Sequence, residues 1–204
     1  MPEGLVCRGC GNPVTLADLK EGETVLDLGS GGGLDVFLAA QRVGPGGKVI
    51  GVDASAEMVA KANENAAKSR CHNVMFKVGP MEQLPLEDRS VDVVISNCVI
   101  NHATDKFTVF RELFRCLGPS GRMMVTDLMA EGPFTEATLA DEVWGEWLAR
   151  ASGKRDYLEA IRRAGFTDVV VVAESVFPMA EADERLRGKI VSIAVKAYKG
   201  LQES

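Results

Sequence analysis

The run Thr24-Val25-Leu26-Asp27-Leu28-Gly29-Ser30-Gly31-Gly32-Gly33-Leu34-Asp35 decides how the rest of the chain reads. Val25 to Leu28 is an apolar run of the kind that a buried parallel strand carries. It breaks into glycines and resumes through Val36, Phe37, Leu38, Ala39 and Ala40 as a helix. Strand, glycine turn and helix is how an open α/β sheet presents a ligand at the carboxyl end of its first strand. Spacing then separates two ligand classes. A dinucleotide turn wants G-x-G-x-x-G, but its third glycine would fall on Leu34 counted from Gly29 and Gly31, or on Val36 counted from Gly31 and Gly33. What stands here is Asp-x-Gly-x-Gly-x-Gly, beginning at Asp27. A carboxylate ahead of the glycines suits the cationic amino group of an amino acid better than a pyrophosphate, which wants positive charge or free amides.

With 204 residues and 46% apolar content, the chain can bury one sizeable core, so a single domain over residues 1–204 is expected. The formal charge of −6 and the lack of a Lys/Arg block argue against nucleic acid as a partner. No apolar run reaches membrane-spanning length and no charged-then-apolar leader opens the chain, so no membrane partner and a cytoplasmic location are expected. Five cysteines, an odd number without a secretion signal, predict reduced thiols.

Residues 1–20 read as a loop, with Cys7-Arg8-Gly9-Cys10-Gly11-Asn12-Pro13, leading to a short helix over the site. Lys48 to Asp53 predicts a second strand. Asp53 ends it, where a carboxylate can accept both ribose hydroxyls of a nucleotide. Ser55 then caps a helix carrying Met58, Val59 and Ala62. Strands follow at Asn73–Val78 and Val91–Ser96, then a helix marked by Phe107, Phe110, Leu113, Phe114 and Leu117 that ends at Gly118-Pro119. A fifth strand is expected over Arg122–Leu128, one helix over Thr135–Ser152 and another over Arg155–Ala164. Residues 130–165 thus form a helical insertion on the substrate side. Thr167–Val172 and Ile190–Tyr198 predict the last two strands, joined by a short link as an antiparallel hairpin. The fold class is α/β, a doubly wound, mostly parallel seven-stranded sheet with an antiparallel C-terminal hairpin.

The Asp-x-Gly-x-Gly-x-Gly run resembles the signature of the Rossmann-like, class I methyltransferases, which use S-adenosylmethionine. A second stretch, Ser96-Asn97-Cys98-Val99-Ile100-Asn101-His102-Ala103-Thr104-Asp105-Lys106, narrows the resemblance. With Gly9-Cys10-Gly11-Asn12-Pro13 and Leu26 to Ala40, it is similar to the arsenite methyltransferases over about Pro2 to Lys199. The resemblance implies S-adenosylmethionine-dependent transfer of methyl to thiol-bound trivalent arsenic, with Cys98 and Cys10 as arsenic ligands. It implies that Asp27 lies near the methionine amino group, that Gly29, Ser30, Gly31 and Gly33 give close backbone approach, and that Asp53 takes the ribose. Met58, Met81 and Glu82 would meet the adenine and Asn97 the methionine end; Met58 reads equally well as core. No resident metal is implied. It further implies residues ahead of the Pro2-Glu3-Gly4 opening.

One family thiol is missing. In Trp144-Gly145-Glu146-Trp147-Leu148, Trp147 stands where the family places a cysteine, and indole does not bind arsenic. A small thiol such as glutathione could complete the site, or Cys7 could, or the chain methylates something else. The alternatives are a quinone- or lipid-type C- or O-methyltransferase with His102 as base, and a non-catalytic protein that binds cofactor or arsenic. Cys116 reads as core, and Cys71 as a turn residue away from the cofactor.

Overall fold

The first strand, β1 (Thr24–Leu28), is buried from Val25 onward, as an apolar run covered on both faces must be. In the computed structural model, which describes residues 11–200 apart from 70, 143 and 182, β2 (Lys48–Asp53) and β4 (Val91–Asn97) flank it in parallel. Outside them lie β3 (Val74–Val78) and β5 (Leu117–Ala130), also parallel. The antiparallel β7 (Ile190–Tyr198) pairs with β5 on one side and with the edge strand β6 (Thr167–Val176) on the other. The order β3-β2-β1-β4-β5-β7-β6 is the mostly parallel seven-stranded sheet with an antiparallel C-terminal pair that the sequence implies. From the β1–β4 boundary chain order runs outward through β2 and β3 on one side and through β5 on the other, which makes that boundary the switch point where open α/β sheets bind ligands.

Strand alternation sorts the core into two layers. Val25, Val49, Val93, Ile95 and Met124 meet the helices α1 (Pro13–Leu16) and α2 (Leu34–Val43) through Val14, Val36, Ala39, Ala40 and Val43. Leu26, Val94, Met123 and Val125 meet α4 (Lys106–Cys116) and α7 (Lys154–Arg163) through Val109, Phe110, Leu113, Tyr157 and Ile161. Phe110 and Tyr157 pack edge to face at 5.2 Å, locking α4 to α7. The helix α3 (Ala56–Ser69) follows β2, with the Ser55 hydroxyl accepting from the Met58 amide at 3.3 Å as the cap reading expects.

Four expectations need correction. Thr135–Ser152 is two helices, α5 (Glu136–Leu139) and α6 (Gly145–Arg150). The Asp141 carboxylate takes the Trp144 amide at 3.1 Å, and a Cβ at Gly145 would lie 2.3 Å from the Leu139 carbonyl oxygen, so the chain folds back on itself there. Strand β5 starts at Leu117 and not Arg122, because a bulge absorbs the Gly118–Gly121 turn, with Ser120 at φ 61°. The link between β6 and β7 carries α8 (Pro178–Glu181) and is not a tight turn. Pro13 opens α1, its missing amide costing nothing at that position, while the Asn12 side chain caps the Thr15 amide at 3.0 Å.

Candidate active site

At the carboxyl ends of β1 and β4 the glycine turn forms the wall of a cleft of about 840 Å³, lined by Asp27, Gly29, Ser30, Gly31, Asp35 and Asn97 among others. The backbone builds this wall. Gly29 and Ser30 amides donate to the Val52 carbonyl at 2.8 and 3.1 Å, and the Gly31 amide donates to Asp53 at 2.9 Å. Gly33, at φ 93°, hands the turn on to α2; a Cβ there would lie 2.8 Å from Phe76. Gly29, at φ 72°, would drive a Cβ to 2.6 Å from Val99, so the turn lies directly against the segment after β4.

The cleft is acidic where it meets β1. Asp27 is buried, and burial raises its pKa well above the usual carboxylate value, with the Asp35 and Asp53 charges adding to the rise. Burial also raises Asp35, against the Asn97 amide that donates to it at 3.3 Å. Among the described residues no cation pairs with either carboxylate. Behind this wall the Ser30 hydroxyl is buried against Gly51 and has no hydrogen-bond partner among the described residues. Two carboxylates that pair with no cation, although Lys68 lines the far side of the same cleft, and a glycine wall suit a polar ligand that carries an ammonium group.

Asn97 joins this cleft to its neighbour. Its side chain accepts from the Thr126 hydroxyl at 2.9 Å and donates to the Gly11 carbonyl at 3.3 Å. The next residue, Cys98, sits at φ 57°, a left-handed conformation that costs a β-carbon residue about 1–2 kcal/mol. Its amide donates to the Thr126 carbonyl at 2.8 Å. Cys98 is 8% exposed and packs in a cluster with Leu128, Trp144, Leu148, Phe177 and Ile190, with Phe134 and Trp147 at its margin. Trp144 and Trp147 meet edge to face at 5.9 Å, so the indole in the family's cysteine position forms part of an aromatic wall. The expectation of reduced thiols fails at this residue: Cys98 is disulfide-bonded. Cys71 and Cys116 are free thiols.

A family model described as a methyltransferase domain matches residues 19–165. The chain belongs to the methyltransferase-domain family. It is 44% identical to an arsenite methyltransferase of Halobacterium salinarum over 94% of its own length and 50% of the relative's. It is 40% identical to an arsenite methyltransferase of Aquipseudomonas alcaligenes over 89% of its length and 54% of the relative's. The chain therefore spans about half the length of the curated relatives it matches. Among solved structures, the crystal structure of an arsenic(III) S-adenosylmethionine methyltransferase from Chlamydomonas reinhardtii superposes with a TM-score of 0.78 at 34% identity, covering 94% of this chain and 67% of that one.

In this methyltransferase domain the cleft gathers Asp27, Gly29, Ser30, Gly31 and Asn97 of the sequence-predicted set. Gly33 shapes the turn from behind. The Asp53 carboxylate takes the Gly31 and Ser55 amides at 2.9 Å each, so it braces the loop, and it is not itself among the residues lining the cleft. The three adenine candidates are not among the residues that line this cleft. Met58 is 38% exposed, which also rules out the core reading; Met81 packs on the main core; and Glu82 lines a separate cavity with Thr108 and Arg111. Cys10 and Cys7 lie outside the described residues. Cys71 is closer than expected, in a cavity that shares Phe37 and Ser69 with the cleft. Cys116 is core as expected, and burial raises its thiol to about 11. Half-buried His102 has its pKa lowered by burial, with the Arg150 and Lys106 cations adding to the effect. Sequence reasoning missed Asp35, in the first turn of α2, although the quoted motif ends on it. It also missed Asp127, whose only signal was a lone carboxylate in an apolar strand.

Proposed function

We propose that this domain transfers the methyl group of S-adenosylmethionine to trivalent arsenic held by protein thiolates. The observation that carries the reading is the adjacency of Asn97 and Cys98: one lines the acidic cleft, the next packs in the aromatic cluster. Bound in the cleft, the cofactor supplies an electrophilic methyl on a sulfonium sulfur. Asp27 and Asp35 would hold its ammonium group, and the Gly29–Gly31 turn would lie along its backbone. Trivalent arsenic is soft and thiophilic, so reduced Cys98 is the ligand side chain for it. The arsenic lone pair would form the As–C bond as the sulfonium S–C bond breaks and S-adenosylhomocysteine leaves with that electron pair; no proton is shed, so no general base is required, and positioning dominates catalysis. Cys10 is the second ligand implied by similarity. A small thiol such as glutathione, as third ligand, would stand where Trp147 replaces the family's cysteine.

The experiment uses protein kept reduced with glutathione and follows labelled methyl from S-adenosylmethionine to arsenite and, separately, to methylarsenite. Product from either supports the reading. Product from methylarsenite alone means that two protein thiols suffice and that the indole wall excludes a third. No product from either, with cofactor binding intact, refutes arsenic as acceptor.

A further inference from the structure

Three successive residues of β5 grip the turn that carries Cys98, and the middle one does so with a buried carboxylate. The Thr126 carbonyl accepts from the Cys98 amide at 2.8 Å. One Asp127 oxygen accepts the Asn101 amide at 2.9 Å and the Tyr157 hydroxyl at 3.4 Å, and the other accepts the Leu128 amide at 2.9 Å. The Leu128 carbonyl takes the Asn101 side-chain amide, whose oxygen in turn accepts the Ser152 amide at 3.3 Å. The 3₁₀ turn Ile100–His102 is thus pinned to β5, to the start of α7 and to the segment after α6.

Packing alone does not account for a carboxylate here. Asp127 points to the same sheet face as Met123, Val125 and Met129, all of them core. An apolar residue would fit that layer, and a buried charge is costly unless well paired. Lys106, the described cation whose charge acts on Asp127, gives its ammonium hydrogen bonds to the Ala103 and Arg150 carbonyls at 3.1 and 2.7 Å. What the carboxylate does that an apolar side chain cannot is accept the Asn101 amide three residues after Cys98. That amide bond holds the turn at the far end of a residue kept in the left-handed region at φ 57°.

We propose that Asp127 is a positioning residue, which by binding the Asn101 amide fixes the turn that aims the Cys98 sulfur at the methyl acceptor. The proposal rests on Cys98 as the acceptor-binding thiol. Loss of the grip releases the backbone at Cys98, leaves the cleft wall of Gly29–Gly31 in place, and so separates acceptor binding from cofactor binding.

The test compares reduced wild type with Asp127→Asn, which keeps the shape but offers one acceptor oxygen to two amides. Tyr157→Phe is the control, because it removes a donor to the same carboxylate and leaves the Asn101 bond. For Asp127→Asn, KM for methylarsenite rises about tenfold, the loss expected for one charge-assisted hydrogen bond, while the Kd for S-adenosylmethionine by calorimetry stays at the wild-type value. Alkylation of Cys98 by iodoacetamide, read peptide by peptide, accelerates several-fold, and Tyr157→Phe matches wild type in all three. A merely structural role would lower kcat with the folded fraction, at unchanged KM and unchanged Cys98 alkylation of the folded protein, and that result overturns the proposal. If Asp127→Asn does not fold, Asn101→Ala removes the side-chain half of the same grip and must shift alkylation in the same direction. If wild type methylates no arsenical, the arsenic reading fails by itself, and the alkylation rates still decide the role of Asp127.

Discussion

The cleft and the cysteine turn share one edge of the sheet, yet they are built in opposite ways. The cleft is made mostly by one short stretch, Asp27 through the glycine turn to Phe37, whose wall is largely glycine backbone with two carboxylates, and it is completed by Asn65, Lys68 and Ser69 on the side of α3 and by Asn97. The cysteine turn draws on segments far apart in the chain: Asn97 to His102, Thr126 to Leu128, Trp144 to Leu148, and Phe177 to Ile190. A ligand held by main chain needs spacing, which a short motif specifies. A ligand held by side chains needs long-range packing, so one substitution can alter what is accepted without touching the fold. Trp147 in place of a thiol is such a substitution.

Joining the two regions by force gives the largest expected effect. Gly29→Ala places a Cβ against Val99 in a left-handed backbone, and should cost about 3 kcal/mol from conformation and overpacking together. Urea unfolding measures the cost. A loss below 1 kcal/mol, on the order expected for a yielding surface contact, would mean that the two regions are not in firm contact.

Asp127 gives a pH signature next in size. Burial lifts its pKa to about 6 from 3.8, so ionisation opposes folding. Its favourable share of stability is complete below the unfolded value and is lost as pH rises through the folded one, about 3 kcal/mol in all. Asp127→Asn cannot ionise. The stability of wild type relative to this variant should therefore fall by about that amount between roughly pH 4 and pH 7 in urea titrations. Parallel curves would contradict a buried, ionising carboxylate.

On the cleft side, Asp27→Asn should weaken S-adenosylmethionine about 30-fold, the worth of a charge-assisted contact. Because burial and its neighbours hold Asp27 protonated above the usual range, a cationic ligand should expel a proton from it. Calorimetry in buffers of different ionisation enthalpy reads that release, and the variant should lose it. At the small end, Met58→Ala should change cofactor affinity less than twofold and stability by under about 0.5 kcal/mol, as for an exposed side chain. A larger loss of affinity would return Met58 to the adenine.

The same contrast explains what could be read from sequence. Asp27, the glycines and Asp53 were legible because each has a local geometric job in a strand, a turn or a strand end. Cys98 and Asn97 were legible only through resemblance to a family. Asp127 was not legible: alternation marks it as core, and only the fold shows that its partner amide lies 26 residues away. Met81 and Glu82 do not line the cleft, and a position in sequence after β3 does not by itself fix which surface a loop residue faces. The break between α5 and α6 escaped for a related reason, since it depends on Gly145 meeting the Leu139 carbonyl.

The central claim is that one chain carries a methyl-donor cleft and, one residue beyond it, the thiol that holds the acceptor. Single-turnover transfer of labelled methyl from S-adenosylmethionine to methylarsenite, on reduced protein, tests it most directly when wild type is set beside Cys98→Ser. The proposal requires labelled dimethylated arsenic from wild type and none from the variant, with cofactor affinity equal in both. Equal product from both proteins would contradict it, and would place the acceptor on some group other than Cys98.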